Sequence, residues 1–426
     1  MILNQFKLFF TRRFMPLFLT QFLGAFNDNF FKSALMMLIT YRLGEAAGVD
    51  SRILVNIAAG IFILPFFVFA APAGDLADKH DRSILMRAIK FAEIIIMAGA
   101  AIGFYLHNMW FLLAVLFCMG AQSAFFSPAK YSILPQHLNE DELIAGNGLI
   151  QMGTYLAILT GTISGGLMIL RDNGIYLVGG LAVTIAAAGW LSSLFIPPTK
   201  PIDPDCKVSY TLVNRTIEMF KDVVPMKNVF YPMLAISWFW LVGSVFLAQF
   251  PTYAKTILGA DESVATSFLA IFSMGIGLGS MVCNYIYKGE ISAKYVPASA
   301  YGIALASVLL WYVSDRPAVD ESAQIIGMAE FFTNPSNLSI PVSLFIIAFC
   351  GGLYIVPLYA VMQNRAPEDK LSGVIACANI TDSIFMAVAA VGASILISMG
   401  VTIPQIFLSV ALPTLIVGLA VNVFAR

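Results

Sequence analysis

The chain has 426 residues, of which hydrophobic types make up 59% and Asp, Glu, Lys and Arg only 12%. A soluble domain carries about twice that charged fraction, so too few charges exist here to cover a water-facing surface. Soluble enzymes, disordered chains and nucleic-acid binders are thereby excluded, and a polytopic membrane protein remains. Spans must be α-helices or a closed β-barrel, because the bilayer offers backbone groups no water. A barrel alternates apolar and polar residues. This chain instead has long uncharged runs such as Ile94–Ala129 and Ser383–Ala425, which predict an all-α bundle.

A spanning helix needs about 20 mostly apolar residues. On that length the chain predicts twelve spans, at 14–42, 53–75, 83–106, 109–127, 143–170, 174–196, 229–257, 263–287, 294–313, 341–363, 371–398 and 403–424. The first dozen residues are basic, and no small-residue cleavage site follows. The first span is therefore read as retained, not as a signal peptide. With the N-terminus inside, eighteen Lys and Arg fall on the inner side, from Lys7 to Arg426. Five fall outside: Arg42, Arg52, Arg171, Lys255 and Arg316. That bias predicts both termini in the cytoplasm. The five cysteines are scattered without a C-x-x-C pair, so neither disulfides nor a metal site is expected.

Between the sixth and seventh spans lies Pro-Pro-Thr-Lys-Pro-Ile-Asp-Pro, which cannot be helical. Tyr210–Asp222 follows, with Val213, Ile217 and Phe220 on one stripe, as in a helix lying along a membrane surface. This connection predicts a six-helix half at 1–196, a linker at 197–227 and a second half at 228–426. Short echoes relate the halves. Phe14-Met-Pro16 opens span one and Phe230-Tyr-Pro232 opens span seven; Glu140-Asp-Glu-Leu143 precedes span five and Glu368-Asp-Lys-Leu371 precedes span eleven. The extra length of the second half fits an enlarged outer loop near Asp315–Ile340. Two such halves with a site between them near the midplane are how many secondary transporters are built.

The loop after span two reads Gly74-Asp75-Leu-Ala-Asp78-Lys-His-Asp-Arg82 and resembles the signature of the major facilitator superfamily. Gly74 permits close helix approach. Asp78 and Arg82 can pair if the stretch stays helical, and an Asp here can face the N-terminus of a neighbouring helix. Such a latch would hold one gate shut; the plainer alternative is a charged turn that supports topology.

Charges at bilayer depth are costly and usually face a cavity or partner. Span one carries Asn27, Asp28, Asn29 and Lys32. Asp28 and Lys32 share a helix face and can form an ion pair. They either bind a zwitterionic substrate by exchanging partners, couple to an ion, or lock the helix in the bundle. Asp382 in span eleven has no basic neighbour in sequence; Lys32 or Lys130 is its candidate partner, and a protonated buried carboxyl is the alternative. Glu93, near the inner surface, is read as a structural pair with Lys90. Gln122, Gln151 and Gln249 are either helix-packing glue or cavity lining. Lys130, at the end of span four, either snorkels to headgroups or guards the inner mouth beside Tyr131.

Ala25-Phe-Asn-Asp28-Asn29 and Phe126-Ser-Pro-Ala-Lys130-Tyr131 resemble motifs of the lysophospholipid transporter (LplT) family. So do Val356-Pro357-Leu358 with Gln363 and Arg365, and Ala145-Gly-Asn147-Gly-Leu149. The resemblance runs across all twelve spans. It implies the major facilitator fold in a bacterial inner membrane and movement of lysophospholipids, chiefly lysophosphatidylethanolamine, from outer to inner leaflet. An acyltransferase partner would then re-acylate them. Asp28, Lys130 and Asp382 would serve as headgroup or gating residues. The chain departs from the family at Val245-Phe246-Leu247, where members carry an arginine, and at Gln151, where they tend to carry Glu. Lys32 is then the candidate for the missing positive charge. A proton-driven exporter of drugs or metabolites, working through Asp28 or Asp382, is the competing reading. An enzyme has little support, since His80, His107 and His137 lie in loops. No phosphate-cradling Gly-rich loop occurs, so neither ATP nor any cofactor is expected.

Overall fold

The structure is a computed structural model and describes residues 5–40, 51–206, 208, 212–314 and 325–424. Side chains of 51–53, 55, 56, 212, 423 and 424 are not described. Arg42, Lys207, Tyr210, Asp315–Gln324 and Arg426, together with the Arg52 side chain, therefore lie outside the description.

Among the described residues the chain is almost wholly helical, with a single bridge between Ala260 and Ile326. A short 3₁₀ helix at Phe6–Phe10 leads into the first half. That half contains α1 (Met15–Leu38), α2 (Ser51–Lys79), α3 (Arg82–Tyr105), α4 (Met109–His137), α5 (Glu140–Ile169) and α6 (Gly174–Ser193). The connection carries α7 (Leu212–Val223). The second half contains α8 (Lys227–Thr256), α9 (Glu262–Tyr287), α10 (Val296–Ser314), a one-turn α11 (Met328–Thr333), α12 (Ser339–Arg365) and α13 (Leu371–Ser398). Its last span is broken into α14 (Ile403–Ser409) and α15 (Ala411–Phe424). Ten of these segments are long and apolar enough to cross a membrane. With α1 and α3, which are 24 residues each but interrupted by charges, they make the twelve spans of a major facilitator fold.

Two helices run further than the sequence predicts. α2 continues to Lys79 rather than stopping at 75, and α4 continues to His137 rather than 127. The predicted ends lie where apolar character fades, but a helix ends where its backbone hydrogen bonds do. Pro128 and Pro135 sit inside α4. Lys130 is consequently a mid-helix residue, not a loop residue. The turn after α2 is closed by Asp81, which caps α3 by accepting from Ser83 N at 2.8 Å.

Large apolar side chains such as Ile95 (62% exposed) and Leu305 (73%) cover the outside, as lipid contact requires. The buried core is uneven. One apolar cluster runs through both halves and includes Leu8, Phe14, Phe126 and Met219 with Tyr354, Tyr359 and Ile375. A second, containing Phe30, Phe104, Leu112 and Val178, draws on the first half alone. The halves thus meet at the end of the bundle that carries the Asp75–Arg82 turn, called here the basic end. The second cluster lies towards the other end.

Candidate functional site

The polar patch of α1 is present, but its charges are not spent on each other. The predicted Asp28–Lys32 ion pair does not form. Asp28 is half-buried and accepts a hydrogen bond from Ser123 Oγ of α4 at 2.7 Å. Lys32 Nζ lies 5.1 Å from the centre of the Phe62 ring. One turn of separation permits a pair but does not oblige it, and here two neighbouring helices offer each side chain its own partner. Asn27 is fully buried and donates to Glu93 Oε1 at 3.1 Å and to the Ala182 carbonyl at 3.2 Å. Asn29 turns back on its own helix, donating to the Ala25 carbonyl.

Glu93 lies deeper than expected. It pairs with Lys90 as read from the sequence, but both side chains are 1% exposed. Glu93 also accepts from Gln122 Nε2 at 3.2 Å. Gln122 Oε1 in turn accepts from Ser123 Oγ at 3.3 Å. A continuous polar network therefore runs from Lys90 through Glu93, Gln122 and Ser123 to Asp28. Lys90 belongs to this interior, not to the inner loops with which it was counted. Gly24 of α1 makes room for it: a Cβ there would stand 2.4 Å from Lys90 Nζ.

Asp382 meets neither Lys32 nor Lys130. Its carboxylate accepts from Ser237 Oγ of α8 at 2.6 Å, within the second half. Three residues earlier on the same face of α13, Asn379 reaches across to Ser127 Oγ of α4 at 3.0 Å. Lys130 is half-buried with its ammonium 4.3 Å from the centre of the Tyr131 ring. Tyr131 stacks on Tyr359 of α12, centroids 4.6 Å apart and planes at 6°. Gln363 of α12 donates to the Tyr131 carbonyl and accepts from Asn147 of α5 at 2.6 Å. Gln151, one turn beyond Asn147, is fully buried, and neither of its amide atoms has a hydrogen-bond partner among the described residues. Gln249 is half-buried in α8, apart from these contacts.

The Gly74–Arg82 turn joins the halves at the basic end. A Cβ on Gly74 would stand 3.1 Å from Ala376 Cβ and 3.3 Å from the Ser372 carbonyl, both on α13. Arg82 is 2% exposed; it pairs with Asp78 at 3.3 Å and donates to Ser372 Oγ in the first turn of α13 at 3.1 Å. The Asp78–Arg82 pair forms across the break between α2 and α3 and not within one helix. Asp75 is held by Arg215 of α7, with Nη2 to Oδ1 at 2.8 Å. The hydrogen bonds to Asp75 raise the Arg215 guanidinium even above its usual value. The linker helix buries Met219 and Val223 against the bundle, while Val213 and Ile217, on the stripe expected to face a membrane surface, stay exposed. Met219 wedges between Gly74 and Gly373.

Ser123, Ser127, Asn147, Arg215, Gln363, Ser372 and Asn379 were not chosen as site residues from the sequence. Asn379 carried a usable signal, because it lies one turn from Asp382. Asn147 and Gln363 stand in the motifs that resemble the LplT family, and the others are hydroxyl residues or the linker residue Arg215, whose partners lie far away in the chain.

The Major Facilitator Superfamily profile matches residues 17–345, and the chain belongs to that superfamily. Similar proteins include the lysophospholipid transporter LplT of Enterobacter sp. (strain 638), 26% identical over 361 residues, or 83% of this chain and 80% of that protein. The LplT of Salmonella newport (strain SL254) is 27% identical over 364 residues, covering 84% and 81%. Among solved structures, the human organic anion transporter MFSD10 superposes with a TM-score of 0.75 at 12% identity, covering 97% and 99%. The Escherichia coli fucose:proton symporter FucP gives 0.69 at 15%, covering 97% of each chain. The two structures bear on the fold alone. The chain is a multi-pass membrane transporter of this superfamily.

Proposed function

We propose that the protein is a lysophospholipid flippase that works by alternating access. It would take lyso-lipids such as lysophosphatidylethanolamine from the outer to the inner leaflet of a bacterial inner membrane, where an acyltransferase re-acylates them. The observation that supports this best is the state of Asp28 and Lys32. They are ionisable groups of opposite sign one turn apart, half-buried at membrane depth, and they form no ion pair with each other. A zwitterionic headgroup has both signs at a similar spacing and can engage the two together. The neighbouring Phe62 suits the acyl tail. The similarity to proteins named lysophospholipid transporters supports the same reading. Lys130 with Tyr131, Gln151, Gln249 and Asp382 are assigned to the rest of the path. Gly74, Asp75, Asp78 and Arg82 are assigned to the gate. With the basic end in the cytoplasm, as the Lys and Arg bias favours, the contacts at that end close the inner mouth.

The test is uptake of labelled lysophosphatidylethanolamine into proteoliposomes, against empty vesicles and against a proton gradient of either sign. Uptake above the empty control without a proton gradient is expected. No uptake sinks the proposal, and strict dependence on protons with a soluble substrate favours an exporter. Asp28→Asn should reduce uptake by at least tenfold, about 1.4 kcal/mol, at unchanged folded yield. Unchanged uptake would leave Asp28 a packing residue.

A further inference from the structure

A groove on the outside of the first half lies away from the substrate path. It is open, has a volume of about 460 Å³, and sits at the basic end between the N-terminal 3₁₀ helix, α1 and α6. Its lining includes Phe9, Phe10, Met15, Leu19 and Phe195. The wall is built deliberately by the sequence. Thr11 has an extended backbone that ends the 3₁₀ helix, and its hydroxyl caps the Leu8 carbonyl at 2.7 Å. The helix is then folded back on α1 by Phe9, whose ring meets Phe18 edge-on at 4.6 Å. Phe10 is left 90% exposed and Phe195 62% exposed, both pointing away from the protein core.

One cation stands in this apolar lining. Arg12 is exposed on the groove wall and has no carboxylate partner among the described residues. Its neighbour Arg13 differs, being engaged bidentately by Glu142 at 2.5 and 2.7 Å. Lys7, one turn before Arg12's segment, is also exposed. An unspent guanidinium at the mouth of an aromatic groove, at the level where helices leave the membrane, matches one chemistry. That chemistry is a phosphate with acyl chains attached.

We infer that this groove is a binding site for an anionic phospholipid of the surrounding bilayer, with Arg12 on the phosphate and Phe10, Leu19 and Phe195 against the chains. Charge complementarity selects an anionic lipid over a zwitterionic one, whose ammonium would meet Arg12 and Lys7 with the wrong sign. The lipid would also buttress the N-terminal 3₁₀ helix. That segment crosses to the other half, where Gln5 donates to the Met281 carbonyl of α9 at 3.3 Å. This inference needs only the membrane placement and does not depend on what the protein transports.

Native mass spectrometry of the full chain in mild detergent tests it, with equimolar phosphatidylglycerol and phosphatidylethanolamine added. The wild type should retain one phosphatidylglycerol at least about fivefold in preference to phosphatidylethanolamine, the gain one surface cation provides. Arg12→Gln should abolish the preference, and Phe195→Ala should weaken retention of both lipids. Both side chains are exposed, and far-UV circular dichroism would verify that each variant is folded. Equal retention of the two lipids by the wild type overturns the inference. So does an undiminished preference in Arg12→Gln, which would place the anionic lipid elsewhere on the protein.

Discussion

Asp81 shows how a single residue sets the turn between α2 and α3. Its carboxylate accepts from Ser83 N and from Thr199 Oγ1, which ties the start of α3 to the connection that follows α6. Partial burial pushes the carboxyl up, but these hydrogen bonds outweigh burial and hold it below its ordinary value of 3.8. A depressed folded-state value means the stabilisation is complete above the ordinary value and fades as pH falls through the folded one. Asp81→Ala should therefore lower stability by about 1 kcal/mol at pH 7. The gap between variant and wild type should close below pH 4 or so, read as apparent melting temperature in detergent. A gap independent of pH would remove the charge from the explanation. The Lys90–Glu93 pair follows a different rule. Removing one partner from a pair 1% exposed leaves a buried charge, at a cost of about 3–5 kcal/mol. It is a fixed feature of the interior, whereas Asp28 and Lys32 form no ion pair with each other.

At the scale of the element, α7 is the connection between halves turned into a brace. Arg215 fixes it to Asp75 of α2, Met219 fills the gap between Gly74 and Gly373, and Asp222 stands 3.9 Å from Lys370 ahead of α13. In this arrangement the helix touches both halves. Arg215→Ala removes hydrogen bonds to a buried carboxylate, each worth about 1.5–3 kcal/mol. It should shift the population towards the open basic end and raise maleimide labelling of Cys377 on the order of tenfold. Cys377 is fully buried beside Ala376, so it reports on this seam. Labelling equal to wild type would make α7 a passive tether. The amphipathic pattern of α7 was legible in the sequence, but the face that docks was not. Hydrophobic spacing does not reveal that Asp75 waits for a guanidinium 140 residues away.

Across the whole molecule, one surface of contact is closed, and under the proposed alternating access it opens during transport. Ser127 with Asn379, Tyr131 with Tyr359, Asn147 with Gln363 and Arg82 with Ser372 all join the first half to the second. Beside them Gly148 packs so closely on α9 that a Cβ would stand 2.6 Å from the Ser280 carbonyl. Gln151 and Ser280 stay buried without hydrogen-bond partners in this closed arrangement. Cysteines at Ser127 and Asn379, in a background without native cysteines, should cross-link readily. The cross-link should stop uptake until a reductant is added. Uptake through the cross-linked protein would mean that this seam does not open.

The sequence by itself determined that this is a helical membrane protein and how many spans it has, and it placed Asp28, Lys32 and Asp382 at bilayer depth, although not Lys90 and Glu93. Scarcity of charge and the length of apolar runs are properties of composition and spacing, and the bilayer punishes any exception to them. Tertiary structure alone decided what each charge touches. Asp28 and Lys32 are neighbours on one helix, yet Ser123 and Phe62, on two other helices, draw them apart. Asp382 found a serine instead of a lysine. A side chain at membrane depth takes whichever partner the packing of remote helices brings within reach, and that is fixed only when the halves close on each other.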